Sequence, residues 1–213
     1  SEYFKSPNAC KVLIVSNCNF ISKDLITLCD GWMHLVRQNL EEFIADENQI
    51  DETGVEVLAL YMKRVMTVEL DPKAYLHKTI GNCICPLKKI SLAWNNVKEG
   101  GALHVASALR VNSTIKHLDL SGNSITDAGA QRLAAAIPYN SSLETLSLSQ
   151  NYVSSPSCFV FANVLRGHPS MRVLDLSNNP LGEPGARSIF RTIMKGLRCF
   201  VMMRSCTFPL DPS

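Results

Sequence analysis

One spacing constrains this chain more than anything else in it: an apolar pattern that returns every 28 residues. Leu87-x-x-Ile90-x-Leu92-x-x-Asn95-x-Val97 is followed by Ile115-x-x-Leu118-x-Leu120-x-x-Asn123-x-Ile125. Then come Leu143-x-x-Leu146-x-Leu148-x-x-Asn151-x-Val153 and Met171-x-x-Leu174-x-Leu176-x-x-Asn179-x-Leu181. A second pattern rides on the same step. Ala102, Val105, Ala106 and Leu109 stand at i, i+3, i+4 and i+7, one apolar face of a helix. Shifted by the same step, the face becomes Ala130, Leu133, Ala134 and Ile137, then Cys158, Phe161, Ala162 and Leu165, then Ala186, Ile189, Phe190 and Ile193. Each period therefore supplies one short strand and one amphipathic helix. Such a unit cannot bury its apolar side alone, so the units must stack.

The same template finds weaker units upstream. Cys10-x-x-Leu13-x-Val15-x-x-Cys18-x-Phe20 fits, with Leu25, Leu28, Cys29 and Trp32 as its helix face. Leu40-x-x-Phe43-x-Ala45-x-x-Asn48-x-Ile50 fits, with Val55, Leu58, Ala59 and Met62 behind it. A degenerate unit is expected from Val65 through Val68 and Leu70, with Lys73 in the Asn position and Pro72 beside it. Near the end, Leu197-x-x-Phe200-x-Met202 is expected to begin another strand, with Ser205 in the Asn position. The expectation is one domain over residues 1–213 of about eight units, regular over 87–196, irregular over 10–86 and partial over 197–213.

These motifs resemble the leucine-rich-repeat superfamily. The 28-residue period and helices such as the one beginning Thr126-Asp127-Ala128-Gly129 are similar to its ribonuclease-inhibitor-like class. The resemblance implies an α/β solenoid, a curved horseshoe with parallel strands on the concave face and helices on the convex face. Elementary distances require the same curvature. Strands in one sheet lie about 4.8 Å apart, helices about 8–10 Å apart, so the sheet is the short side. Asn48, Asn95, Asn123, Asn151 and Asn179 follow the strands and are expected to bond the backbone of adjacent coils, with Cys18 as a small replacement. Gly54, Gly101, Gly129 and Gly185 recur at helix starts, where they permit close approach, and Thr126 is a candidate N-cap.

The positions between the apolar ones point outward. The central outward column reads Ile14, Ile44, Glu69, Ser91, Asp119, Ser147, Asp175, Val201, flanked by a basic column of Lys88, Lys89, Lys116, His117, Arg172 and Arg198. Trp94, exposed beside Asp119 and Lys116, is the anchor candidate, because Trp and Arg concentrate at interface hot spots; the competing expectation is that it leans on a neighbouring turn. The partner-binding set is thus Trp94, Asp119, Asp175, Lys116, His117, Ser147, Arg172 and Lys89. The acidic group Glu41, Glu42, Asp46, Glu47, Asp51 and Glu52 reads as a solvated surface.

No catalytic constellation emerges. Cys83-x-Cys85 has no second pair at zinc spacing, the five histidines are scattered, and no glycine-rich phosphate loop is present, so no metal, cofactor or small-molecule substrate is expected. Asn112-Ser-Thr and Asn140-Ser-Ser match the glycosylation pattern, but the polar turn explains both. Net charge is +2, divided as 7 Lys/Arg against 12 Asp/Glu over residues 1–75 and 14 against 7 over 76–213. That balance, and a basic column broken by Asp119, Glu144 and Asp175, argue against nucleic acid. No apolar run reaches the roughly 18 residues of a membrane span. The eight cysteines are too dispersed for a disulfide framework, which points to reduced thiols inside the cell.

Neither end carries an evident cap, so the expectation is a segment of a larger protein or one capped by partners. The function expected is a non-enzymatic scaffold or adaptor binding protein partners in a multi-subunit assembly, cytoplasmic or cytoskeletal/ciliary, or ribosome-associated. Two alternatives come with the resemblance. One is a Ran-type GTPase-activating protein, whose edge positions here would be Ser16-Asn17 and Asp46-Glu47. The other is the ligand-sensing repeat region of an immune receptor.

Overall fold

The computed structural model describes residues 10–33, 39–63, 85–196 and 198–207. Strand and helix alternate along the chain: β1 (Val12–Ile14), α1 (Ser22–Met33), β2 (Glu42–Ile44), α2 (Glu52–Met62), β3 (Lys89–Ser91), α3 (Lys98–Leu109), β4 (His117–Asp119), α4 (Asp127–Ala136), β5 (Thr145–Ser147), α5 (Ser155–Val164), β6 (Val173–Asp175), α6 (Gly182–Met194) and β7 (Phe200–Met202). The strands form one open parallel sheet in sequence order, and each helix packs on the next. The result is a curved solenoid.

Each strand is three residues long, and its middle residue turns inward. Phe43, Ile90, Leu118, Leu146 and Leu174 are that residue in successive strands, paired in register and buried. Leu13 and Val201, their counterparts in the end strands, are only partly buried. Burying one such side chain stabilises by about 2 kcal/mol. From β3 to β6 the register advances 28 residues per strand, Lys89 to His117 to Thr145 to Val173. The first two coils are irregular in length and filled differently. Trp32 stands edge-on to Phe43 at 5.4 Å between ring centroids and tilts against Tyr61 at 5.3 Å.

Three points bear on the expectations. First, β2 pairs directly with β3 in a described sheet of seven strands; the expected unit at Val65–Lys73 lies outside the described residues. Second, the last strand is one residue out of the expected register. Val201, not Phe200, pairs with Leu174, and Phe200 is 64% exposed. The Asn position therefore falls on Cys206, whose Sγ reaches the Leu176 carbonyl at 3.4 Å, and not on Ser205. The step from Val173 to Phe200 is one residue short of the regular period. Third, Phe190 and Ile193 of the expected α6 face are exposed, although Ala186 and Ile189 are buried. Phe190 and Ile193 stand where Ala162 and Leu165 of α5 pack beneath a following helix, and no described helix follows α6.

Two polar ladders hold the coils in step. In the first, Asn151 shows the pattern: its Oδ1 accepts from the N–H groups of Asn123 and Ile125, and its Nδ2 donates to the Leu120, Leu148 and Ser149 carbonyls. Asn48, Asn95, Asn123 and Asn179 bond in the same way. Cys18 donates its thiol to the Val15 carbonyl. The second ladder runs through the helix-to-strand turns. Asn112 and Asn140 are buried and bond Met62 and Leu109 carbonyls, so neither is a glycan acceptor. His168 stands next in that ladder. Its Nδ1 accepts from Met171 N–H at 3.1 Å, so Nε2 carries the proton and donates to the Ile137 and Asn140 carbonyls.

At the helix starts the sheet of helices closes tightly. A Cβ on Gly185 of α6 would lie 2.9 Å from Ser155 Cα of α5. Thr126 takes the N-cap position of α4 without a side-chain cap bond; the equivalent Asp51 caps α2 through Thr53 and Gly54 N–H groups.

Candidate functional site

The concave face is built from the outward first and third residues of each strand. Between β2 and β5 it sinks into a groove of about 420 Å³ whose polar lining is Glu42, Lys89, His117, Asp119, Thr145 and Ser147. Four expected site residues, Lys89, His117, Asp119 and Ser147, are thus brought together. Asp175 lies one strand further on, paired with Ser147. Lys116 and Arg172 stand at the rim where the chain enters the strands. Ser91, expected in the outward column, is 5% exposed because its hydroxyl donates to Asp46 Oδ1 at 2.5 Å. Glu69 lies outside the described residues, and Met202 replaces Val201 in this column.

On the N-terminal rim of the sheet the glutamates are paired with lysines. Lys11 and Lys88 reach Glu41 at 3.3 and 2.7 Å, Lys89 reaches Glu42 at 3.7 Å, and Lys116 reaches Glu144 at 2.8 Å. The Lys88 and Lys11 ammonium groups hold the Glu41 carboxyl below the usual range, and the Lys116 hydrogen bond does the same for Glu144. The acidic group near residue 46 is therefore not simply solvated: Glu41 and Glu42 are paired, Asp51 caps a helix and Asp46 bonds the next coil.

The opposite rim follows the strands. Here one residue per coil has a left-handed backbone: Asn17, Glu47, Trp94, Gly122, Gln150, Asn178 and Ser205, all with φ between 49 and 64°. Their N–H groups form a continuous ladder to the next coil, Trp94 N–H to the Ser121 carbonyl at 2.7 Å for example. Trp94 is 50% exposed, yet its ring leans on the following turn; a Cβ on Gly122 would meet indole carbons at 2.7 Å. The neighbouring-turn expectation holds for one side of the ring. Trp94 is not beside Lys116, because β4 separates the two rims. Asp46 and Glu47, read from the sequence both as part of a solvated acidic group and as edge positions, lie on this rim, two and three residues past Ile44.

Asp119 Oδ1 accepts from both Ser121 N–H (2.9 Å) and Ser121 Oγ (2.6 Å), and that hydroxyl lies 2.7 Å from Ser147 Oγ. The carboxylates of Asp119 and Asp175 therefore organise their own turns and do not bridge Ser147. Among the described residues no group of His, Cys, Asp or Glu side chains is placed to hold a metal ion. Burial pushes the thiols of Cys29 and Cys158 up to about 12 and that of Cys199 to about 11, too high for nucleophiles near neutral pH.

The model for the "Leucine Rich repeat" family matches residues 111–134 and 167–190. The two matches are 56 residues apart, two of the regular periods, and each spans a turn, a strand and the first part of a helix. The chain folds as a leucine-rich-repeat domain. No curated protein matches the chain. A solved structure described as "Leiomodin-1 Actin-Binding Site 2 (ABS2)" is similar at 17% identity and a TM-score of 0.49, covering 56% of this chain and 71% of that one. In this leucine-rich-repeat domain no described helix is long and apolar enough to cross a membrane.

Proposed function

We propose that this leucine-rich-repeat domain is a non-enzymatic scaffold or adaptor that binds a protein partner on its concave face, within a larger intracellular assembly of cytoskeletal, ciliary or ribosome-associated type. The observation that carries the reading is the groove between β2 and β5. Its mixed polar lining is fixed from below by two side-chain ladders, so a partner meets a surface already organised for it. Lys89, His117, Asp119, Ser147 and Asp175 are the contact residues, with Trp94, Lys116 and Arg172 on its rims. The regular 28-residue steps, each with a full helix, support the ribonuclease-inhibitor-like subclass and a single domain over residues 1–213. Four of the seven described cysteines, Cys29, Cys85, Cys158 and Cys199, are buried in the core, which supports a reducing compartment.

The test is affinity capture with cross-linking mass spectrometry from the native cells. The wild-type chain is compared with a Lys89→Glu, Asp119→Lys, Asp175→Lys variant. Loss of a partner cross-linked to β3–β6 is the expected result. Retention of every partner by the variant would show that binding uses the helical face or the ends.

A further inference from the structure

The two rims of the concave sheet differ in a way that selects an occupant. On the N-terminal rim Glu41, Glu42 and Glu144 each already hold a lysine. On the turn rim Asp46 and Glu47, and beside it at the strand ends Asp119 and Asp175, have no cationic partner among the described residues, and the cation in the same columns is Arg204 of the last coil. Asp46 and Asp119 use Oδ1 to hold the turns, and no described donor reaches the Oδ2 of either.

Among these carboxylates stands Trp94, between Glu47 of the preceding coil and Gly122 of the following one. A bulky side chain in the left-handed region is uncommon, and the other six coils place Asn, Glu, Gly, Gln or Ser there. Gly122 supports the indole from one side, since any larger residue would collide with it. Half of the residue's surface remains open to solvent. An aromatic face flanked by unneutralised carboxylates complements one side chain best. A guanidinium is planar, weakly hydrated and able to stack on an indole while its N–H groups reach carboxylates.

We propose that the turn rim, centred on Trp94, is the docking site for an extended basic segment of the protein partner, with an arginine stacked on the indole between Glu47 and Asp119. This rests on the concave-face reading above and names the chemistry of its partner. With about 4.8 Å per coil and about 3.3 Å per extended residue, a segment crossing from Glu47 to Asp175 needs about six residues. The same charges disfavour an anionic partner at this rim.

The experiment is selection of a random dodecapeptide display library on the purified chain, followed by fluorescence anisotropy with the most enriched peptide. The expected outcome is enrichment of arginine and at least about fivefold weaker binding after Trp94→Gln, after Glu47→Lys, or after lysine replaces the peptide's arginine. Gln150 occupies the equivalent position, so Trp94→Gln leaves a side chain this turn accepts. Trp94's indole resonance, assigned by its loss in Trp94→Gln, should move on titration. The inference is overturned by enrichment of acidic or apolar peptides, by no enrichment, or by arginine peptides insensitive to Trp94→Gln. If it fails while the Lys89→Glu, Asp119→Lys, Asp175→Lys variant still loses its captured partner, the concave-face reading survives. If that variant keeps its partner too, both fall.

Discussion

At the residue scale, buried His168 and half-buried Asp127 make different demands. His168 occupies a ladder position that Asn140 and Asn112 fill one and two coils earlier, and it satisfies three backbone groups with two ring nitrogens. His168→Ala should cost about 2–4 kcal/mol by stranding those groups. His168→Asn, which restores the ladder chemistry, should cost under about 1 kcal/mol in urea denaturation. A loss as large for Asn as for Ala would show that ring packing, not hydrogen bonding, is what matters. Asp127 is a second case. Burial raises its pKa, but hydroxyl bonds from Ser154 and Ser157 outweigh burial and hold the carboxyl below its ordinary range. Its contribution is full above about pH 4. It is lost as pH falls through the lower native pKa, because the unfolded chain takes up the proton first. Wild type should exceed Asp127→Asn by about 1 kcal/mol at pH 6, and urea midpoints should converge as pH falls below the ordinary carboxylate range. A constant gap would remove the carboxylate from the account.

At the scale of one element, the helices test how far a coil depends on its neighbours. Phe161 of α5 is fully buried between flanking helices, and Phe190 of α6 is 57% exposed. Phe161→Ala should cost about 3–5 kcal/mol and Phe190→Ala under about 1 kcal/mol. Comparable costs in thermal unfolding would mean that α6 is covered in solution. The apolar periodicity of α5 and α6 is the same in sequence, so periodicity located the face correctly and overstated its burial in the last coil. The strands behaved in a similar way. Leu118 and Leu146 could be read as inward directly from their spacing. The inward role of Val201 could not, because Phe200 and Met202 match the template better and only pairing with Leu174 chooses between the two registers.

At the scale of the whole molecule, a solenoid's stability is a chain of neighbour terms. Amide exchange should therefore be slowest in β3–β5 and their helices α3 and α4, which have neighbours on both sides, and fastest in β1 and β7. Uniform protection from β1 to β7 would show a single cooperative unit in place of a graded stack.

The sequence by itself determined the repeat, the strand–helix alternation, the Asn ladder and most of the concave lining, because all of these follow from local periodicity. Lys89, His117, Asp119 and Ser147 were legible as a group for that reason. Only the tertiary structure decided three further matters. It joined β2 to β3. It showed which carboxylates are neutralised by lysines of adjacent coils, and it set Trp94 on Gly122 at the rim opposite Lys116. Each depends on contacts between residues about 28 to 47 positions apart, a separation over which side-chain reach and charge pairing leave no periodic trace.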